Sequence, residues 1–171
     1  MGLRKVPCFG YAKRVFFHLI DEPNGYLSNW YPLAFELEGK TFDCVEQYVM
    51  WKKAQLFKDD ETANAILETS NPVEMKAFGG KVKGYVDSLW ASKRYSVVKD
   101  AVYAKFSQNP ELREQLLRTH GLFAEAAPND CIWGIGIGMD DPARFDCTLW
   151  RGTNYLGCAL QEVYTALKTE E

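Results

Sequence analysis

The sequence predicts an α+β domain, mostly helical, with a small β-sheet. Three observations carry that reading. Helix-start signals recur along the chain, as in Asn71-Pro72 and Asn109-Pro110, a polar cap followed by proline at the first helical position. Strand-like stretches are few and short, at residues 15–20, 35–42, 122–126 and 131–137. Strands and helices do not alternate regularly, which excludes a doubly wound parallel sheet. The 171 residues suit one domain, 1–171, with a substantial core.

Residues 15–20 (Val-Phe-Phe-His-Leu-Ile) are aromatic and branched, hence a strand, and the turn chemistry of residues 21–25 (Asp-Glu-Pro-Asn-Gly) closes it. Residues 26–32 read as an ordered loop. Residues 35–42 form a hairpin around Glu38-Gly39. Asp43 then caps a helix over 45–57, with Glu46 at the capping-box position. A short helix covers 61–68. Asn71 and Pro72 open the next, and Gly79 closes it. A longer helix over 87–107 buries Leu89, Trp90, Val97, Val98, Ala101 and Phe106. Asn109-Pro110 opens another, ended by Gly121. Two short strands follow, at 122–126 and 131–137, then a polar loop over 139–149 and a last helix over 154–167.

Hydrophobic residues make up 47% and charged residues 25%, ordinary for a globular protein. With a net charge of -3 no global field draws in nucleic acid, which enters only as a modified substrate met at one nucleotide. Cys8, Cys44, Cys131, Cys147 and Cys158 are odd in number and lack a C-x-x-C spacing, against both a disulfide framework and structural zinc. A reducing cytoplasm is the expected location. The first seven residues lack a signal-peptide core, and no apolar run is long enough for a membrane. His18 and His120 have no ligand spacing, so neither a metal site nor a histidine triad is assigned, and no cofactor is expected.

Glu46 and Lys53 are seven positions apart, so a helix points both the same way, among Tyr48, Met50, Trp51 and Phe57. A buried acid and amine must pair or shift their pKa values, and either outcome suits catalysis. A desolvated lysine can attack a sugar aldehyde and form a Schiff base. The alternative is a capped or salt-bridged structural pair, and both stand open. A second cluster holds Glu125, Asp130 and Trp133: a carboxylate beside an indole that can stack on a base or sugar, or an Asx-turn at residues 128–130 (Pro-Asn-Asp). The run 133–138 (Trp-Gly-Ile-Gly-Ile-Gly) is not a dinucleotide fingerprint, and its glycines fit close backbone approach or a bulge. The amides of residues 152–157 could receive a phosphate, while Asn154 as a plain N-cap is the simpler reading. Lys81, Lys83, Lys93 and Arg94 flank Trp90, either as a phosphate-binding edge beside a stacking indole or as a wet face.

In order along nearly the whole chain, residues 25–30 (Gly-Tyr-Leu-Ser-Asn-Trp), 42–48 (Phe-Asp-Cys-Val-Glu-Gln-Tyr), 53–57 (Lys-Ala-Gln-Leu-Phe), Trp90, 104–106 (Ala-Lys-Phe), 125–134 and 154–157 (Asn-Tyr-Leu-Gly) resemble the NADAR family, also called YbiA-like. The resemblance implies a compact α+β N-glycosidase that needs no metal. The implied substrates are small ribosyl-phosphate or ADP-ribosyl compounds: phosphoribosylamino-pyrimidine intermediates of riboflavin synthesis, or ADP-ribose on guanine in nucleic acid. By position it puts Glu46, Lys53 and Asp130 in catalytic roles. Trp90, Trp133, Asn29, Glu125 and Asn154 then bind substrate, with Lys81, Lys83 or Arg94 on phosphate. One departure is the long stretch 139–151, with residues 140–142 (Asp-Asp-Pro) and Trp150, which leaves the substrate subclass open. A non-catalytic binder of ADP-ribose-like ligands is the runner-up, and a structural partner domain the third reading. The oligomeric state is not legible.

Overall fold

The computed structural model describes residues 13–170; Cys8 and the first seven residues lie outside them. In chain order the elements are β1 (Arg14–Phe17), β2 (Phe35–Leu37), β3 (Lys40–Phe42), α1 (Val45–Leu56), α2 (Asp60–Glu68), α3 (Pro72–Gly80), α4 (Asp87–Ser107), α5 (Pro110–Arg118), β4 (Leu122–Glu125) and α6 (Tyr155–Thr169). Short 3-10 turns occur at Gly25–Leu27, Pro142–Phe145 and Cys147–Leu149. The fold is α+β and mostly helical. Two compact units divide it: Asn29–Pro110, and a discontinuous one joining Met1–Ser28 to Glu111–Glu171.

The strands form two separate pairs rather than one sheet. Within the continuous unit β2 and β3 are antiparallel, with Phe35 opposite Phe42. Their turn places Glu38 at φ 52° and Gly39 at φ 73°, both left-handed, as a two-residue hairpin requires. Phe42 is fully buried and packs against Tyr48 and Trp51, with ring centres 5.0 and 5.4 Å away.

Helix α1 packs against α2, α3 and α4. Its first turn and the residue after it are therefore buried on every side, from Val45 through Val49. The helix starts at Val45 as expected, but its N-cap is Cys44 and not Asp43, whose carbonyl accepts the Leu33 N–H at 2.9 Å. Gln47, at the third helical position, accepts the Asp43 N–H on Oε1 at 2.7 Å. Gln47 Nε2 donates to the carbonyls of Ile66 and Thr69, at 3.1 and 3.0 Å.

Asn71 caps α3 as expected, accepting the Val73 N–H at 3.0 Å. Gly79 does not end that helix. It lies buried inside α3, where a Cβ would fall 2.1 Å from Met50 Sδ, so it permits close approach to α1. Along α4, Trp90, Val98, Ala101 and Phe106 are buried, whereas Leu89 is exposed. Lys105 on the same helix is completely buried.

In the discontinuous unit β1 and β4 are parallel, in register from Arg14–Leu122 to Phe17–Glu125. Phe16, Ala124, Ala126, Ile135 and Ile137 form a core cluster there, flanked by Met139, Ala143 and Trp150. The expected strand at 131–137 does not form. Gly136 turns the chain at φ 70°, and the Ile135 carbonyl accepts the N–H groups of Arg151 and Gly152 instead of a strand partner. The loop 139–149 is built, not loose: Asp141 and Asp146 cap its two 3-10 turns, and Trp150 Nε1 donates to the Arg144 carbonyl at 2.8 Å.

Replacing Gln47 by alanine leaves the part-buried Asp43 N–H and two carbonyls without their partner. The expected cost is about 2–4 kcal/mol, read as a lowered denaturant midpoint at unchanged slope.

Candidate functional site

Helix α1 supplies the first group of candidates. Glu46 is buried, at 7% exposure, and its backbone N–H donates to the Asn29 carbonyl at 3.0 Å. Asn29 is itself buried, and its Oδ1 has no hydrogen-bond partner among the described residues. An orphaned buried acceptor is uncommon and calls for a reason. Two turns along, Lys53 is half-buried. Its Nζ donates to the Gly79 carbonyl at 2.7 Å and stands 4.3 Å from the centre of the Tyr85 ring. Burial holds the Lys53 amine below the ordinary lysine range, against the opposing charges of Asp87 and Glu46. Glu46 and Lys53 therefore share a helix face and are electrostatically coupled.

Trp90, in the first turn of α4, lines a cavity of about 280 Å³ with Lys52, Gln55, Leu56, Lys93 and Val97. Lys52 is bound to the Glu38 carboxylate at 2.8 and 2.9 Å. The expected phosphate edge is thus redistributed. Lys93 faces the cavity beside Trp90. Lys83 forms an exposed ion pair with Glu61 at 2.6 Å. Lys81 is the exposed C-cap of α3, and the charge of Arg94 is felt at Tyr85.

Three residues here were assigned no role from the sequence, although Lys105 lies in the 104–106 stretch that carries the family resemblance. Lys52 and Tyr85 carried no motif. Lys105 did leave a signal, as a lysine amid Ala101, Val102, Ala104 and Phe106 on a buried stripe. Burial pushes its amine down to about 7, and Nζ lies 5.3 Å from the Tyr31 ring centre. Cys44, buried nearby, has its thiol pushed up to about 11, so it stays protonated and inert.

The discontinuous unit holds the second group. Asp130 Oδ1 accepts the N–H groups of Ile132 and Trp133, at 2.9 and 2.7 Å, so the carboxylate folds its own loop. Trp133 is half-buried, edge-on to Tyr155 at 6.2 Å. Glu125, at the end of β4, donates its N–H to Asn154 Oδ1 at 3.1 Å and accepts the Ile135 N–H at 2.8 Å on its carbonyl.

Two expectations are corrected here. Asn154 is not a side-chain N-cap. It sits at φ 54°, and its amide braces β4, with Nδ2 donating to the Phe123 carbonyl at 2.9 Å. Nor do the amides of 152–156 form a phosphate cradle. Gly152, Thr153, Asn154, Tyr155 and Leu156 donate to the carbonyls of Ile135, Cys131, Gly134, Ile132 and Trp133, at 2.9–3.2 Å. The loop before α6 thus caps the helix that follows it. The glycines at 134 and 152 fit the close-approach reading: a Cβ on Gly152 would fall 2.1 Å from the Gly134 carbonyl oxygen. Among the described residues no cluster of three histidine, cysteine or acidic side chains could hold a metal, and no helix is long and apolar enough to cross a membrane.

Comparison with known proteins yields concordant matches. The NADAR domain model matches residues 15–168. Protein irg-1 of Caenorhabditis elegans is 39% identical over 91% of this chain and 81% of its own length. An N-glycosidase of Acanthamoeba polyphaga mimivirus is 34% identical, over 88% of this chain and 94% of that one. The N-glycosidase YbiA of Escherichia coli is 30% identical, over 91% and 89%. The NMR structure of E. coli YbiA superposes with a TM-score of 0.74 at 28% identity, covering 92% of this chain and 86% of that one.

Asn154→Ala removes both bonds to β4 at a left-handed position that asparagine tolerates well. A loss of about 2–4 kcal/mol is expected, from one buried and one part-buried backbone group left unpaired, and thermal unfolding measures it.

Proposed function

This chain belongs to the NADAR family, and from that premise we propose that it is an N-glycosidase, a hydrolase of N-glycosyl bonds, acting on phosphoribosylamino-pyrimidine intermediates of riboflavin biosynthesis. The N-glycosidase names of the mimiviral and E. coli relatives support the reaction class. The observation that carries the mechanism is the half-buried Lys53, its Nζ held between the Gly79 carbonyl and the Tyr85 ring, two turns along α1 from the buried Glu46. The Trp90 cavity, with Lys52 and Lys93 on its wall, supports a small phosphate-bearing substrate with a ring to stack. The net charge of -3 speaks against tracking along a nucleic-acid polymer.

Breaking the bond from the anomeric carbon to nitrogen builds oxocarbenium character on the sugar. A carboxylate near that carbon stabilises it, and the buried Glu46 is placed in that role. The bonding pair leaves with the pyrimidine amine, which gains a proton. The neutral Lys53 amine adds to the anomeric carbon, the ring opens as its oxygen takes a proton, and an imine forms. Water then hydrolyses the imine, releasing ribose phosphate and restoring the amine. Desolvation of Lys53 serves this step because it enlarges the neutral fraction at a given pH. The unpaired Asn29 Oδ1 beside Glu46 is an acceptor suited to a ribose hydroxyl.

Wild type is expected to cleave the pyrimidine intermediate and to spare a DNA oligomer carrying ADP-ribosyl guanine. Lys53→Ala and Glu46→Gln should each lower kcat by about 10²–10⁴-fold. Full activity in Glu46→Gln removes Glu46 from the mechanism. Borohydride added during turnover should leave a ribosyl adduct on Lys53, seen by peptide mass, and its absence removes the imine. Because the attacking amine must be neutral, the rate should rise as pH climbs towards the depressed pKa of Lys53. A rate that falls over that range excludes the amine as nucleophile.

A further inference from the structure

Tyr85 lies in the connector between α3 and α4, directly after Gly84, which turns the chain at φ 69°. It is 42% exposed. Scattered surface aromatics need no explanation, but this ring is fixed on three sides. Phe57 meets it edge-on, with centres 5.4 Å apart. Its hydroxyl donates to Asp87 at 2.8 Å. Its face receives the Lys53 ammonium at 4.3 Å, well within cation–π range.

Lysine ends in a flexible four-carbon stem, and a single hydrogen bond leaves Nζ free to pivot. The Gly79 carbonyl gives Lys53 one anchor, at 2.7 Å. The Tyr85 ring supplies a second, from a different segment. Charged groups acting at this point are Glu46 on α1 and Asp87 on α4, both favouring the ammonium, with Arg94 acting on Tyr85 itself. Tyr85 thus covers the amine on one side at 4.3 Å while the Gly79 carbonyl holds it on another.

We propose that Tyr85 is the positioning residue of Lys53, fixing where the amine points when it meets the sugar carbon. This deepens the catalytic reading of Lys53 and rests on it. An amine displaced by even an ångström loses reaction rate more than substrate affinity.

The test uses the full chain as wild type, Tyr85→Phe, Tyr85→Ala and Lys53→Ala. Two readouts are taken: kcat and KM on the cleaved ribosyl compound, and the rate at which formaldehyde with cyanoborohydride methylates Lys53 at neutral pH, by peptide mass. Tyr85→Ala should lower kcat by about tenfold with KM within about twofold. It should also raise Lys53 methylation several-fold, with an unchanged circular dichroism spectrum. Tyr85→Phe keeps the ring and should restore both values to within about twofold of wild type. A wild-type kcat in Tyr85→Ala overturns the proposal, as does an equal loss in Tyr85→Phe, which would assign the effect to the hydroxyl. Should Lys53→Ala prove fully active, the catalytic reading of Lys53 falls instead. The methylation rates still report on the contact, and no change in Tyr85→Ala would refute it.

Discussion

Gln47 ties three segments together from the first turn of α1: the residue before the N-cap, the end of α2 and the residue that follows it. Each bond contributes about 1 kcal/mol, and leaving any of the three groups unpaired costs more. Gln47, and not Glu46, takes the Asp43 N–H ahead of the helix, and Glu46 beside it is buried.

The same unit positions the amine. Gly79 has no side chain, so α3 lies close against α1 at Met50. That approach places the Gly79 carbonyl where Lys53 reaches it. Burial then lowers the amine's pKa, while Glu46 and Asp87 stop it from falling further. In the discontinuous unit the carbonyls of loop 131–135 take the amides of residues 152–156, those of Tyr155 and Leu156 at the start of α6 among them, and Asp130 folds that loop. Chemistry-bearing residue types there serve the backbone first. Asn154 does so with both ends of its amide.

The elements that could be read from sequence have local causes. Glu38-Gly39 gave the hairpin, Asn71-Pro72 the start of α3, and the spacing of Trp90, Val98 and Ala101 the buried face of α4. The misreadings came from tertiary bonds that a local window cannot contain. With the Asp43 carbonyl engaged by Leu33, the N-cap of α1 is Cys44. Carbonyls from another loop consumed the amides ahead of α6, and a left-handed glycine broke the pattern taken for a strand at 131–137. At the candidate site the helical spacing of Glu46 and Lys53 was legible because α1 is regular. Tyr85 was not, since it reaches Lys53 from a connector whose path depends on how α3 and α4 pack.

The central claim is that Glu46 and Lys53 form an electrostatically coupled pair whose amine is desolvated. It is tested most directly by an NMR titration of Lys53 Nζ in wild type and in Glu46→Gln. The account predicts a wild-type pKa below the ordinary lysine value of about 10.4. It predicts a lower one still in the variant, because the Glu46 charge supports the ammonium. A Lys53 that titrates at the ordinary value, unchanged by the substitution, would contradict it.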